Sequence, residues 1–219
     1  MAFDLEEQEQ LASLKAWWAR YGNLSSWLLI AALAAYSGWA AWNHYQIGQS
    51  TQAAQLYDEL QQAVTAKNNP KVQRAASDMQ GRFGSTAYAQ MSALSAAKSA
   101  FDSADLNTAK AQLQWTIDHG SDAYKTIAQL RLAAVLLDEK AYDAALKLLS
   151  GDTPAPFLAA VQERKGDILA AQNKTVEARA AYQAALQATD AKDPGRQLIS
   201  LKLDAAGGNA AAAVVKAAQ

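Results

Sequence analysis

His44 and His119 are the only imidazoles in the chain, and Cys is absent. A helix-borne metal site needs two histidines about one turn apart. Thiolate nucleophiles and thiolate ligand sets need Cys. Neither requirement is met. Asp58-Glu59 and Asp138-Glu139 are adjacent carboxylates. Neighbouring positions on a helix point in different directions, so neither reads as an acid/base pair. No G-x-S-x-G, P-loop or dinucleotide fingerprint occurs. Ser and Lys are too common for a Ser–Lys dyad to stand out. Asn173-Lys174-Thr175 has the form of a glycosylation acceptor, which matters only in a eukaryotic secretory route. The expectation is therefore a protein that is not an enzyme, with no catalytic residues, no metal, no cofactor and no small-molecule substrate.

Attention passes to the elements. No Lys, Arg, Asp or Glu stands between Arg20 and Asp58. A bilayer core asks for about 20 mostly apolar helical residues, and this is the one stretch that supplies them. Trp27, Leu28, Leu29, Ile30, Leu33, Trp39 and Trp42 would carry the anchor. Trp17, Trp18 and Tyr21 mark one edge, and Trp39, Trp42 and Tyr45 the other, where aromatic rings favour the headgroup layer. Lys15 and Arg20 precede the span, while the first cation after it is Lys67. The positive-inside rule puts the N-terminus in the cytoplasm. A cleaved signal peptide is the rival, because Ala32-Leu33-Ala34 resembles a cleavage site. The long acidic head (Asp4, Glu6, Glu7, Glu9) speaks for a retained anchor. Leu11, Leu14, Trp18 and Tyr21 recur at steps of three and four, which suits a helix on the membrane surface; a short disordered tail with a few apolar residues is the other reading.

Of 20 Lys+Arg and 21 Asp+Glu, two cations and four acids precede the span, so 18 and 17 remain beyond it. Such a balanced domain lacks the basic face that nucleic acid requires. Ala is abundant, Val and Ile are sparse, and helices are favoured over strands. A repeat then emerges. Windows aligned on Ala63, Ala97, Ala133 and Gly166 lie 34, 36 and 33 residues apart. Twelve positions later stand Ala75, Ala109, Ala145 and Ala178; four further on, Met79, Leu113, Leu149 and Tyr182. Each window reads as two helices around a turn, a small residue on each helix permitting close approach. The pattern resembles the tetratricopeptide repeat. The window with Gly166, Ala178 and Tyr182 fits best. The first two are degenerate, with Arg82 and Thr116 at positions that are usually small.

The expected fold is all-α: one transmembrane helix, then an α-solenoid of about four hairpins with a C-terminal capping helix from Arg196. The expected organisation is a head (1–22), an anchor (23–46), a repeat domain (47–206) and a flexible Ala-rich tail (207–219).

Before the span stand Gln10-Leu11-Ala12-Ser13-Leu14-Lys15-Ala16-Trp17-Trp18 and Tyr21-Gly22-Asn23; at its exit stands Gly38-Trp39-Ala40-Ala41-Trp42-Asn43-His44-Tyr45-Gln46. With a degenerate repeat domain behind them, these segments resemble the YfgM family, the ancillary subunit of the SecYEG translocon. The resemblance implies a bacterial inner-membrane protein with a periplasmic repeat domain. It also implies association with SecYEG and the PpiD chaperone, and transfer of newly translocated, unfolded client proteins to periplasmic chaperones. Solenoids present concave faces to partners. The first helix of each pair would line that face, making Met91, Leu94, Phe101, Leu130 and Leu137 candidates for an apolar client groove. Packing between neighbouring helices is the other reading of those five. A cell-envelope assembly scaffold uses the same architecture, and a membrane-anchored hydrolase would need a pocket of convergent titratable groups.

Overall fold

The computed structural model describes residues 5–207. Among the described residues there are helices and no strands. The chain divides into two units between Thr51 and Gln52. The first is the greater part of α1, a helix of 61 residues over Leu5–Thr65. Helix α1 passes the expected boundaries at 22/23 and 46/47 without a break. Its run of Ala and Leu keeps backbone hydrogen bonds within one segment, which is what a bilayer demands. Trp18 lies against Gly22, its ring 3.1 Å from where a Cβ would stand.

The second unit opens with the rest of α1. There follow α2 (Asn69–Phe83), α3 (Ala87–Asp102), α4 (Leu106–His119), α5 (Asp122–Asp138) and α6 (Tyr142–Leu148). A 3-10 turn at Ala155–Phe157 leads into α7 (Leu158–Ala171), and α8 (Thr175–Ala188) and α9 (Arg196–Ala205) complete the described chain. The helices pair as four hairpins: the end of α1 with α2, α3 with α4, α5 with α6, and α7 with α8. Helix α9 packs on α8 through Ile199 and Leu203, at the end of the described stack. The expected tail lies, past Gly207, outside the described residues.

All four hairpin turns are built alike. Lys67, Ala104, Lys140 and Asn173 adopt φ of 52°, 60°, 61° and 61°. The next residue in each case donates its N–H to a carbonyl five positions back: Asn68 to Ala63, Asp105 to Ala100, Ala141 to Leu136, Lys174 to Leu169. Lys67, Ala104, Lys140 and Asn173 themselves donate to Val64, Phe101, Leu137 and Ala170. This pair of bonds is the Schellman arrangement, which satisfies carbonyls left over at a helix end. None of the four left-handed residues is glycine, the type that takes this conformation at least cost.

Counting from these turns corrects the repeat register. Ala97, Ala133 and Gly166 each stand seven residues before their left-handed residue, but Ala63 stands only four before Lys67. The first hairpin's equivalent positions are therefore Leu60, Val72 and Ala76, not Ala63, Ala75 and Met79. Leu60, Val72 and Ala76 are all fully buried, in one cluster with Ala63 and Ala96. The sequence windows went astray here because Ala recurs too often to fix a register alone.

The core runs through the stack as overlapping clusters. Leu94, Ala97, Leu113, Ala128, Leu132 and Val135 join α3, α4 and α5. Ala133, Ala145, Leu149, Val161 and Ile168 join α5, α6 and α7. Small residues allow the closest approaches. At Gly166 a Cβ would meet the Tyr182 ring at 2.5 Å, so only glycine lets that ring lie on the α7 backbone.

Candidate functional site: an apolar helix and the inner face of the hairpins

The residues expected to carry the anchor, Trp27, Leu28, Leu29, Ile30, Leu33, Trp39 and Trp42, are all exposed, Trp39 by 62%. Helix α1 is the one described helix long and apolar enough to cross a membrane, and none of its apolar window is buried against protein. A monomeric soluble surface rarely leaves so much apolar area uncovered. Lys15 and Arg20 are exposed on the same helix, upstream of that window. Aromatic rings approach one another at both ends, with Trp17–Tyr21 centroids 5.9 Å apart and Trp42–Tyr45 6.2 Å apart.

The five groove candidates do not come together as one open face. Leu94 is 7% exposed, inside the cluster that joins α3, α4 and α5. Leu130 and Leu137 are partly buried against the α5–α6–α7 cluster. Met91 is partly buried on α3. Leu94, Leu130 and Leu137 thus hold neighbouring helices together. Phe101, 44% exposed, is the one of the five that presents a large apolar surface.

Beside Phe101 lies a pit of about 370 Å³ that the sequence reading missed. Ala97, Ala109, Leu113, Ala134 and Val135 line it, and Lys98, Asp102, Arg131 and Asp138 surround its mouth. It sits between α3 and α5, the first helices of consecutive pairs. Ala134 leaves the space: it stands six residues before its turn, where the second hairpin has Lys98 and the fourth Asp167. Lys98 pairs with Asp102 at 2.5 Å, and Arg131 donates to the Leu94 carbonyl at 3.3 Å. A second, shallower depression is lined by Leu132, Leu136, Ala144 and Leu148. It lies between α4 and α6, where α6 spans only seven residues.

A charged network between α7 and α9 is structural in character. Lys202 on α9 reaches Glu163 at 2.6 Å and Asp167 at 2.8 Å, both on α7. The Tyr182 hydroxyl donates to Asp167 at 3.0 Å. Burial, and then the negative charge of Asp167, raise the Tyr182 phenol far above its ordinary value. Burial pulls Lys202 down, but hydrogen bonds to Asp167 and Glu163 outweigh it and leave the ammonium raised. Both groups keep their protons at neutral pH, so neither is poised for proton transfer.

Elsewhere the candidates for chemistry are dispersed. His119 stacks on Trp115 with centroids 4.7 Å apart, and His44 is exposed. Glu139 turns to Lys110 at 2.7 Å, while its neighbour Asp138 faces the pit. No group of three or more His, Asp or Glu able to hold a metal occurs among the described residues.

An all-helical hairpin array behind a long apolar helix defines a class of tetratricopeptide-like binding proteins. The family model for a tetratricopeptide repeat-like domain matches residues 15–208. The chain belongs to this family, and within it to the ancillary SecYEG translocon subunits, the YfgM family. Proteins so named are similar to it over almost their whole length. The one from Neisseria gonorrhoeae is 32% identical, covering 93% of this chain and 99% of the relative. Those from Haemophilus influenzae and Escherichia coli are 29% and 28% identical, over 93% and 90% of this chain and 99% and 95% of theirs. No solved structure matches the chain. The family is one of translocon accessory subunits, not of enzymes.

Proposed function

We propose that this is a single-pass protein of the bacterial inner membrane that works at the Sec translocon. Its N-terminus is cytoplasmic and its hairpin domain periplasmic. The domain receives newly translocated, unfolded chains and passes them to a membrane-bound chaperone of the PpiD type. The observation that carries this reading is the exposed apolar window of α1, joined to a hairpin array in a chain akin throughout to translocon subunits. Lys15 and Arg20 support the orientation through the positive-inside rule. Helical repeat arrays as a class bind partner chains along extended faces, which supports binding of chains rather than of small molecules.

The test is photo-crosslinking in native membranes, with a photoreactive residue in turn at Trp39, Trp42 and Glu59, all exposed. Adducts with SecY, SecE, SecG or the chaperone are the expected outcome. Adducts with lipid or envelope-assembly proteins alone would overturn the translocon reading and favour an assembly scaffold.

A further inference from the structure

We infer that α9 opens a fifth hairpin, and that residues 208–219 dock against it as the second helix of that pair. The open end of the array is thus covered by the chain's own C-terminal segment, whatever partner the inner face takes.

The turn after α9 carries the inference. Gly207 adopts φ of 76° and donates its N–H to the Asp204 carbonyl, three positions back, at 2.9 Å. Lys67, Ala104, Lys140 and Asn173 make the same bond at the same 2.9 Å, and a second helix begins two residues after each of them. These left-handed residues lie 37, 36 and 33 residues apart, and Gly207 follows Asn173 by 34. Gly207 therefore falls one repeat beyond the last described hairpin turn. Arg179 on α8 donates to the Gly207 carbonyl at 3.1 Å, and Ala206 packs on the cluster that joins α8 to α9. This end of α9 is fastened to the array.

The residues around the turn repeat the pattern of the pairs before it. Ser200 stands seven residues before Gly207, as Ala97, Ala133 and Gly166 stand before their own left-handed residues. Ala212 follows Gly207 by five, as Ala109, Ala145 and Ala178 follow theirs. Such a small pair lets two helices approach closely. Twelve residues lie beyond Gly207 in the sequence, against 14 in α4 and α8 and seven in α6. Six of the twelve are Ala, the best helix former. A helix of that length is marginal alone in water, so it needs a surface, and α9 is the nearest one. Lys216 takes the place from which Tyr182 covers Gly166. Its methylene stem can lie over Ser200 with the ammonium in water. The inner face then runs one helix further. Leu198 and Leu201, 53% and 60% exposed, hold on α9 the positions of Arg131 and Ala134 on α5.

The test is amide hydrogen exchange on the full chain in lipid nanodiscs, beside a synthetic peptide of residues 208–219. Exchange across 213–219 should be at least about tenfold slower in the chain than in the peptide, because a docked helix opens rarely. Val215→Pro should abolish that protection, since proline breaks a helix interior, and should leave exchange in α3–α8 unchanged. Exchange at the peptide's rate in the parent chain overturns the fifth hairpin. Cys is absent from the chain, so Ser200→Cys combined with Ala212→Cys gives a second readout. Mild oxidation should join the two within one chain. A bond between two chains assigns the segment to a second copy and overturns docking on its own α9. Neither failure touches the translocon reading, which rests on the apolar window of α1.

Discussion

At the scale of single residues, Gly166 and Tyr182 show what the sequence makes plain. A small residue sixteen positions before a large aromatic suggested two helices in close contact, and the ring does lie on the α7 backbone. Gly166→Ala forces the ring away and should destabilise the domain by about 1–3 kcal/mol, the range for overpacking; a thermal melt followed by circular dichroism would show it. The opposite sign is expected at Ala104, which holds φ of 60° with a Cβ attached. Ala104→Gly relieves the left-handed strain of about 1–2 kcal/mol, partly offset by the added freedom of the unfolded chain. A net gain of about 0.5–1 kcal/mol in urea unfolding is the expected result. Leu94 and Ala134 mark the limit of legibility. Both sit on first helices of their pairs, yet one is sealed in the core and the other lines a pit. What decides is the neighbouring helix, and helix-to-helix approach has no signature in a linear pattern.

At the scale of elements, the caps explain which helices start firmly. Asn68 and Asp105 accept hydrogen bonds from Lys71 and Thr108 N–H, while Ala141 and Lys174, at the same place in the later hairpins, offer no side-chain cap. Ala141→Asp should stabilise the seven-residue α6 by about 1 kcal/mol, measurable as a raised melting temperature. The cap at Asp105 also sets a pH dependence. Hydrogen bonds from the Thr108 side chain and N–H lower its pKa, so its contribution is complete above the ordinary carboxylate value and is lost as pH falls through the lowered one. Asparagine caps without titrating. The stability advantage of the parent over Asp105→Asn should therefore shrink as pH drops below about 4; a gap that stays constant down to pH 2 would count against the cap. The paired helices of the array were legible, because turn residues and three-four spacing agree, whereas the short 3-10 turn at Ala155–Phe157 was not. Register in the first hairpin was not, since Ala63, Ala75 and Ala76 are interchangeable by type and only the left-handed Lys67 fixes the count.

At the scale of the whole molecule, the division after Thr51 makes a prediction about autonomy. Residues 52–219, produced without the apolar window, should be a monodisperse helical protein in plain buffer. The full chain should need detergent or lipid. Aggregation of the fragment, or a full chain soluble without amphiphile, would contradict the two-unit division. That α1 is apolar enough to enter a bilayer could be read directly, because absence of charge over a span's length is a one-dimensional property. Which residues form the pit could not, because it is a gap between elements far apart in sequence.

The overlapping clusters have one more consequence. Each is shared by consecutive helices, and none bridges the two ends of the stack. Stability of such an array is a sum of nearest-neighbour terms. Helix α9 packs on α8 and pairs with α7, whereas the first hairpin shares clusters with α3. Damage therefore has a direction. Heat, tension or a protease should undo the chain from α9 inward, one pair at a time, and the seam between α3 and α5 should be among the last to open.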